Sequence, residues 1–446
     1  MSTQSSSLSV EPRQVAWQMI QAALEAVNPA AAVKNYFKHH PEVATYIRAT
    51  AGRVIVVGAG KAGASMAEAV SDVFRDKITT GRVIVKYGYT IGVHRSTEIE
   101  IVEAGHPVPD RAGLLAAQEI ADILQQAEAQ DTIICLVSGG GSALLTLPAE
   151  PLTLSDLQAT TETLLAAGAT INQVNTIRKH LSAIKGGRLA QMATPATIYA
   201  LILSDVVGDP LEVIASGPTV PDPTTFADAW AVVEQFQLQA ALPPAVVQRL
   251  QAGCARTLPD TPKPGDPIFE RVHNIIIGSN RLAAQAAVKA AQTAGFEAHL
   301  LTTYVEGEAL EVGKVLAALA KGLARDEGSI SRPACLVMGG ETTVRLKGNG
   351  RGGRNQEMAL AAAIALASWP NILITCFSTD GSDGPTDAAG AFADGQTVGR
   401  AHAIGLKAVE YLNRNDAYNF FTVLNDLILT GPTNTNVNDL TFILAW

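Results

Sequence analysis

The chain has 446 residues, 47% of them hydrophobic and 17% charged, with a net charge of -9. That length and apolar content support more than one packed core and exclude wholesale disorder. The negative balance and an aromatic share of 5% exclude partners held by broad basic patches or stacking platforms, so neither nucleic acid nor a membrane is expected as a partner.

The opening Met1-Ser-Thr-Gln-Ser-Ser-Ser7 lacks the basic-then-apolar pattern of a secretory signal, and no run of about 18 apolar residues reads as a membrane span. In chain order, a strand is predicted over 53–57, ending at Gly58, with a helix over 62–74. Further strands are predicted at 132–137, 198–203, 275–277, 333–338 and 372–377. Continuous apolar strands alternating with Ala-rich helices predict parallel sheets covered on both faces, with ligands gathering at the C-terminal strand ends. The Pro-rich stretch 258–267 cannot continue a helix or a central strand, so it predicts two domains, 1–260 and 268–446. Strand, Gly turn, second Gly-rich turn, Gly-Gly-Arg and acidic loop recur in one order on both sides. Two readings follow: chance similarity of Gly-rich turns, or two related α/β units with a site in the cleft between them. Cys135, Cys254, Cys335 and Cys376 show no CxxC spacing and read as reduced thiols of a cytoplasmic protein.

Gly58-Ala-Gly60-Lys61-Ala-Gly63 matches GxGxxG between a strand and a helix, a turn in which backbone N–H groups meet an anion. A dinucleotide fold wants an acid at the end of the next strand, and Val83-Ile-Val-Lys86 puts a lysine there. The turn therefore reads as a phosphate or carboxylate site with Lys61 as its charge, against the plainer alternative of a tight turn without a ligand. Ser138-Gly139-Gly140-Gly141-Ser142 follows the next strand, and consecutive glycines allow a nest of N–H groups around an anion. Ala143 after Ser142 disfavours a nucleophilic serine. From Asn172 to Ala190 the spacing predicts a helix with Ile177, Leu181 and Ile184 buried and Arg178 and Lys185 on another face, interrupted at Gly186-Gly187 before Arg188. No acid lies between Thr163 and Ile202, so a binding face competes there with a merely solvated one.

Asp205 and Asp209 follow a predicted strand, ahead of a rigid Ala215-Ser-Gly-Pro-Thr219 turn, and Asp380, Asp383 and Asp387 form the counterpart loop. These acids are placed to bind Mg²⁺ or take a proton, or to close Asx turns. The densest stretch runs from Gly339-Gly340-Glu341 to Asn355-Gln-Glu357 and carries Arg345, Lys347, Arg351 and Arg354, with no acid between the first and last of these four. Such a focus of positive charge inside an acidic chain points to a small anionic substrate. His106, in Gly105-His-Pro-Val-Pro-Asp110, reads as a turn residue or a substrate contact.

On these residues the chain resembles the type II glycerate kinases, whose C-terminal part is the MOFRL domain. The strings that carry the resemblance are GAGKA at 58–62, GHPVPD at 105–110, SGGGSALL at 138–145, INQVNTIRKHLSAIKGGRLA at 171–190, LSDVVGDPLEVIASGPTVPDPTTFADA at 203–229, GGETTV at 339–344, GRGGRNQE at 350–357 and STDGSDGPTDAAGA at 378–391, and together they span about residue 12 to the end. The resemblance implies transfer of phosphate from ATP to D-glycerate, giving 2-phosphoglycerate, with Mg²⁺. It also implies two Rossmann-like three-layer α/β domains with mostly parallel sheets and the active site in the interdomain cleft.

The residues expected to act in catalysis are Lys61, Asp205, Arg351 and Arg354. Those expected to bind substrate or nucleotide are Gly58, Gly60, Ser138, Gly139, Gly140, Gly141, Ser142, Arg178, Lys185, Gly339, Gly340, Glu341, Asn355 and Glu357. Asp205, Asp209, Asp380 and Asp383 are the candidate Mg²⁺ ligands. The sequence leaves open which Gly-rich nest takes ATP and which takes glycerate, and it is compatible with a homodimer. Two rivals stand beside this reading, an NAD(P)H-dependent hydroxypyruvate reductase and a non-catalytic anion or nucleotide sensor. The chain has no P-loop string and no protein-kinase HRD or DFG string.

Overall fold

The computed structural model describes residues 11–90 and 98–446. They form two compact units, Pro29–Ile277 and a second made of residues up to Asn28 with Gly278–Trp446. The division falls later than the Pro-rich stretch, which lies inside the first unit. There Thr261 donates to Asp222 at 3.0 Å and Asp260 lies 3.0 Å from His180 Nε2. The N-terminal helix Pro12–Ala26 joins the second unit because its buried face, including Val15, Met19 and Ile20, packs on helix Asn280–Thr293.

The first unit is built on a six-stranded sheet of β1 (Val54–Ala59), β2 (Ile78–Lys86), β3 (Ile99–Ala104), β4 (Thr132–Val137), β5 (Thr197–Leu203) and β6 (Val272–Gly278), in the order β3-β2-β1-β4-β5-β6. The β3-β2, β2-β1, β1-β4 and β4-β5 pairs are parallel. Every residue of β1, β4 and β5 is buried, as unbroken apolar runs require when helices cover both faces. Ile55, Ile133 and Ile198 pack against Ala117, Ile120 and Leu124 of helix Arg111–Gln125, which Asp110 caps by accepting from Gly113 N at 3.0 Å. A satellite core of Leu157, Val174, Ile177, Phe226 and Leu250 ties together four helices around Ile171–His180. That helix is shorter than the spacing predicted. It stops at His180, Gly186 and Gly187 turn the chain at φ +59° and +82°, and a new helix begins at Arg188. Ile177, Leu181 and Ile184 are nonetheless all buried.

The second unit holds β7 (Glu297–Val305), β8 (Ala334–Gly340), β9 (Ile372–Ser378), β10 (Gly390–Asp394), β11 (Leu427–Ile428) and β12 (Asp439–Ala445), in the order β11-β10-β9-β12-β8-β7. This sheet is mixed, where the strand–helix alternation predicted a mostly parallel one. The C-terminal β12 inserts antiparallel between β8 and β9, and β10 also runs antiparallel to β9, leaving β7-β8 as a parallel pair. Helices Ala309–Ala324 and Arg354–Ala365 pack closely because Gly313 meets the Met358 carbonyl, where a Cβ would lie at 2.4 Å. Among the described residues no helix is long and apolar enough to cross a membrane.

Candidate active site

In the first sheet the chain winds from β1 out through β2 to β3, then returns to add β4 and β5 on the other side of β1. The strand order therefore reverses between β1 and β4, and a crevice opens at their C-terminal ends. Lys61 follows β1 there and Ser138-Gly139-Gly140 follows β4. The two turns are locked together: Lys61 N donates to the Gly139 carbonyl at 2.8 Å, and Ala62 N donates to Ser138 Oγ at 3.1 Å. Ser138 thus satisfies an N–H at the start of helix Gly63–Phe74 and is buried, so it builds the turn rather than facing a ligand. Gly60, at φ +143°, has no room for a side chain, since a Cβ would fall 2.1 Å from Ser138 Oγ. Gly58 is a buried residue within β1 against the Leu136 carbonyl, which places it in the packing and not in an anion nest.

What lines the crevice is a different set. A Cβ on Gly139 would lie 2.2 Å from Asp205 Oδ2, and one on Gly140 would lie 3.0 Å from His106 Nε2 and 3.5 Å from Lys61 Cγ. Lys61, His106 and Asp205, from the turns after β1, β3 and β5, therefore converge on the two glycines after β4. Among the described residues no carboxylate pairs with Lys61. Burial and the positive charges of Lys61 and Lys86 push the His106 imidazole down to about 4, so it is neutral at pH 7.

Beyond Gly141 the loop is braced from below. Ser142 Oγ lies 2.9 Å from Ser216 Oγ, and Ser216 donates to Asn175 Oδ1 at 3.2 Å. Ala215 and Ser216 hold φ of +50° and +60°, a left-handed conformation that costs non-glycine residues about 1–2 kcal/mol each. This turn presses Ala215 against Gly141. The rigid Ala-Ser-Gly-Pro sequence marked a tight turn, but nothing in it identified Ser216 or Asn175 as partners of the Gly-rich loop. Lys185 Nζ donates to the carbonyls of Ser142 at 2.7 Å and Leu145 at 2.6 Å.

The second unit presents a separate pocket of about 680 Å³ over the C-terminal ends of β8 and β9, within the size range of small-molecule sites. Gly348, Gly350, Gly352, Arg354 and Asp380 line it. Arg354 is committed to the protein: Nε and Nη2 donate to Asp439 at 2.5 and 3.0 Å, and Nη1 donates to Glu341 at 2.7 Å. Burial opposes that charge, yet the Asp439 hydrogen bonds and the charges of Asp439, Glu341 and Asp383 raise its pKa further. Three of its five N–H donors are therefore occupied, and Glu341 is its partner rather than a ligand group. Arg351 stacks on Tyr418 at 4.3 Å and donates from Nε to the Pro385 carbonyl at 3.2 Å. It does not line the pocket.

The other expected ligands of this unit have structural work. Gly339 and Gly340 lie inside β8, against Asn280 Oδ1 and the Val305 carbonyl, so they form no phosphate nest. Asn355 N and Gln356 N donate to the two oxygens of Asp383 at 3.1 and 2.8 Å, which makes Asp383 the anion at the start of helix Arg354–Ala365. Burial, partly offset by these donors, raises its pKa to about 7. Asn355 adds a side-chain bond to Asp383 at 3.3 Å. Asp380 closes its own loop, accepting from Ser378 Oγ and Ser382 N at 2.9 Å each. Glu357 is buried and accepts from Asn415, whose oxygen holds Lys347 N and Gly348 N, so this pair anchors the Gly-rich loop.

Residues 15–251 match a family described as a domain of unknown function, DUF4147, and residues 334–439 match the MOFRL family. A D-glycerate 2-kinase of Thermotoga maritima is 41% identical over 428 residues, covering 96% of this chain and 97% of that protein. The crystal structure of a glycerate kinase from Thermotoga maritima superimposes with a TM-score of 0.88 at 40% identity, covering 97% of this chain and 99% of that one. The chain belongs to the glycerate kinase family. Another relative, from Agrobacterium vitis, is 42% identical over 438 residues, covering 98% of this chain and 95% of that protein, and is provisionally named a hydroxypyruvate reductase.

The four acids expected to hold Mg²⁺ do not make a ready site. Among the described residues no three His, Cys, Asp or Glu side chains gather closely enough to hold a metal. Asp383 has both oxygens engaged in its helix cap, Asp380 ties its own turn, and Asp209 sits at φ +56° further along the loop from Asp205. This donor set does not fit a resident ion.

Proposed function

We propose that the chain transfers the γ-phosphoryl group of ATP to the 2-hydroxyl of D-glycerate, releasing ADP and 2-phospho-D-glycerate. The observation that carries this reading is Lys61, a cation with no carboxylate partner among the described residues, poised at the strand-order reversal beside His106 and Asp205. Phosphoryl transfer is mostly positioning and charge stabilisation, and this arrangement supplies both. Lys61 meets the transferring phosphoryl oxygens. Asp205, held against Gly139, orients the acceptor hydroxyl and takes its proton. Neutral His106 walls the turn without adding a second charge. The 680 Å³ pocket of the second unit has the size of a small-molecule site, and its Gly-rich lining loop lets backbone approach phosphates. Arg351, fixed by Tyr418 and Pro385, offers its remaining donors at the rim of that loop. Mg²⁺ enters as part of the nucleotide substrate, since magnesium usually binds through substrate phosphates with one or two carboxylates.

The reductase reading finds less support. A nicotinamide dinucleotide fold places an acid at the end of the second strand to hold the ribose, and β2 ends on Lys86. The four free cysteines suit a reducing compartment, which we take to be the cytoplasm, and the net charge of -9 suits small-molecule partners rather than nucleic acid. Light scattering would read directly whether the chain forms a homodimer. The deciding experiment couples ADP release to D-glycerate addition and locates the phosphate on the product. ADP release with phosphate on carbon 2 is expected. NADH consumption with hydroxypyruvate and no ADP release would overturn the proposal. ATP binding without ADP release from any sugar acid would make the chain a nucleotide sensor.

A further inference from the structure

A small pocket lies beside the Gly140–Ser142 loop, walled by Ser142, Thr146, Thr161, Arg178, Ser182 and Lys185. Its room is about 40 Å³, enough for about three water-sized groups, since one water needs roughly 10–15 Å³ by the same measure. A carboxylate has three heavy atoms; a triphosphate is far too large.

The charges around this pocket are unbalanced. Lys185 exposes 2% of its surface, and among the described residues Nζ donates to two backbone carbonyls, two of the three hydrogens it carries. Arg178, at the end of helix Ile171–His180, makes a single side-chain hydrogen bond among the described residues, to the neutral Asn175 at 3.3 Å. Among the described residues no carboxylate pairs with either. Buried charges in proteins are normally paired, and two adjacent cations without an anion form an arrangement that an anionic ligand would complete. The other walls supply four hydroxyl-bearing side chains from Ser142, Thr146, Thr161 and Ser182, and the turn bearing His106 contributes Pro107 and Pro109.

We infer that this pocket seats the carboxylate of the substrate, with Arg178 and Lys185 as its two cationic contacts, and so selects 2-hydroxy acids over neutral polyols. The inference rests on the kinase reading only for the identity of glycerate. The carboxylate seat itself is a property of the pocket. Burial and the neighbouring Arg178 hold the Lys185 ammonium well below the ordinary lysine range, which an anion between the two cations would reverse. Because Lys185 also grips the Ser142 and Leu145 carbonyls, a seated carboxylate is tied directly to the Gly-rich loop that faces Lys61.

The test compares the full-length chain with Arg178→Gln and Lys185→Met, using Arg178→Lys as the conservative control. Two readouts are taken: steady-state ADP release, and calorimetric binding of lactate and glycerol without nucleotide. Lactate should bind and glycerol should not. Arg178→Gln should weaken lactate binding and raise the KM for D-glycerate by about 10- to 100-fold, as expected for a lost charge-assisted hydrogen bond. The KM for ATP should stay within about twofold, and Arg178→Lys should recover part of the loss. Thermal melts confirm that each variant folds, and should Lys185→Met not fold, Arg178→Gln carries the test. An unchanged KM for glycerate in folded Arg178→Gln overturns the inference. So does a raised KM for ATP alone, which would make the pocket a phosphate site. If the wild-type chain releases no ADP with D-glycerate, the kinase reading fails and lactate binding decides the pocket. Arg178-dependent binding of lactate then upholds the seat, and absent or Arg178-independent binding rejects it.

Discussion

Arg354 is the residue at which the sequence expectation and the structure part most clearly, and its removal separates the two accounts. In the structure it makes a two-pronged ion pair with Asp439, whose side chain is 5% exposed, and a further bond to Glu341. Arg354→Ala would leave Asp439 buried at the start of β12 with its charge uncompensated. Breaking a buried pair from one side typically costs about 3–5 kcal/mol. For a unit of this size each kcal/mol lowers the melting temperature by about 2–4 °C, so the transition of the second unit should fall by about 6–20 °C. Differential scanning calorimetry of the full chain follows that transition separately from the first unit's. Asp439→Asn in the same background should recover part of the loss, because it removes the stranded charge. If Arg354→Ala melts within about 2 °C of the wild type yet loses turnover, the ion pair is dispensable to the fold and Arg354 acts on the substrate.

Three further outcomes test the first unit. Lys61→Ala should lower kcat by at least about 100-fold while shifting the melting temperature by no more than a few degrees, since among the described residues Lys61 holds no carboxylate; an unchanged kcat/KM refutes its role. Gly139→Ala should cut activity by a similar factor, because its Cβ would fall 2.2 Å from Asp205 Oδ2 and drive the carboxylate out of place, whereas activity within threefold of wild type would show that Asp205 need not sit there. The His106 ring resonances should stay in their neutral positions from pH 8 down to about 5 and titrate near 4; a midpoint near 6.5 refutes the burial argument. The sign of the linked stability follows: the folded pKa is depressed, so this contribution is complete above about 6.5 and is lost as the pH falls toward 4.

The parts of this molecule that were legible in its sequence are those governed by local rules. The unbroken apolar runs at β1, β4 and β5 announce a parallel sheet covered on both sides, and the turn after β1 carries a lysine where glycines crowd. The mixed order of the second sheet was not legible, because the apolar pattern of β12 specifies burial and not direction. The same limit explains the site. A basic residue in a Gly-rich stretch reads as an anion contact whichever anion it meets, and for Arg354 that anion is Asp439, distant in sequence. An acid in a loop reads as a metal ligand or a cap, and the two oxygens of Asp383 are fixed by backbone N–H groups that no pattern reveals. Lys61, Arg178 and Lys185 differ from Arg354 in one respect only the fold exposes: no carboxylate among the described residues is folded back onto them. The decisive signal for an anionic substrate is therefore the charge that the chain leaves uncompensated, and here it gathers around the Gly-rich loop after β4.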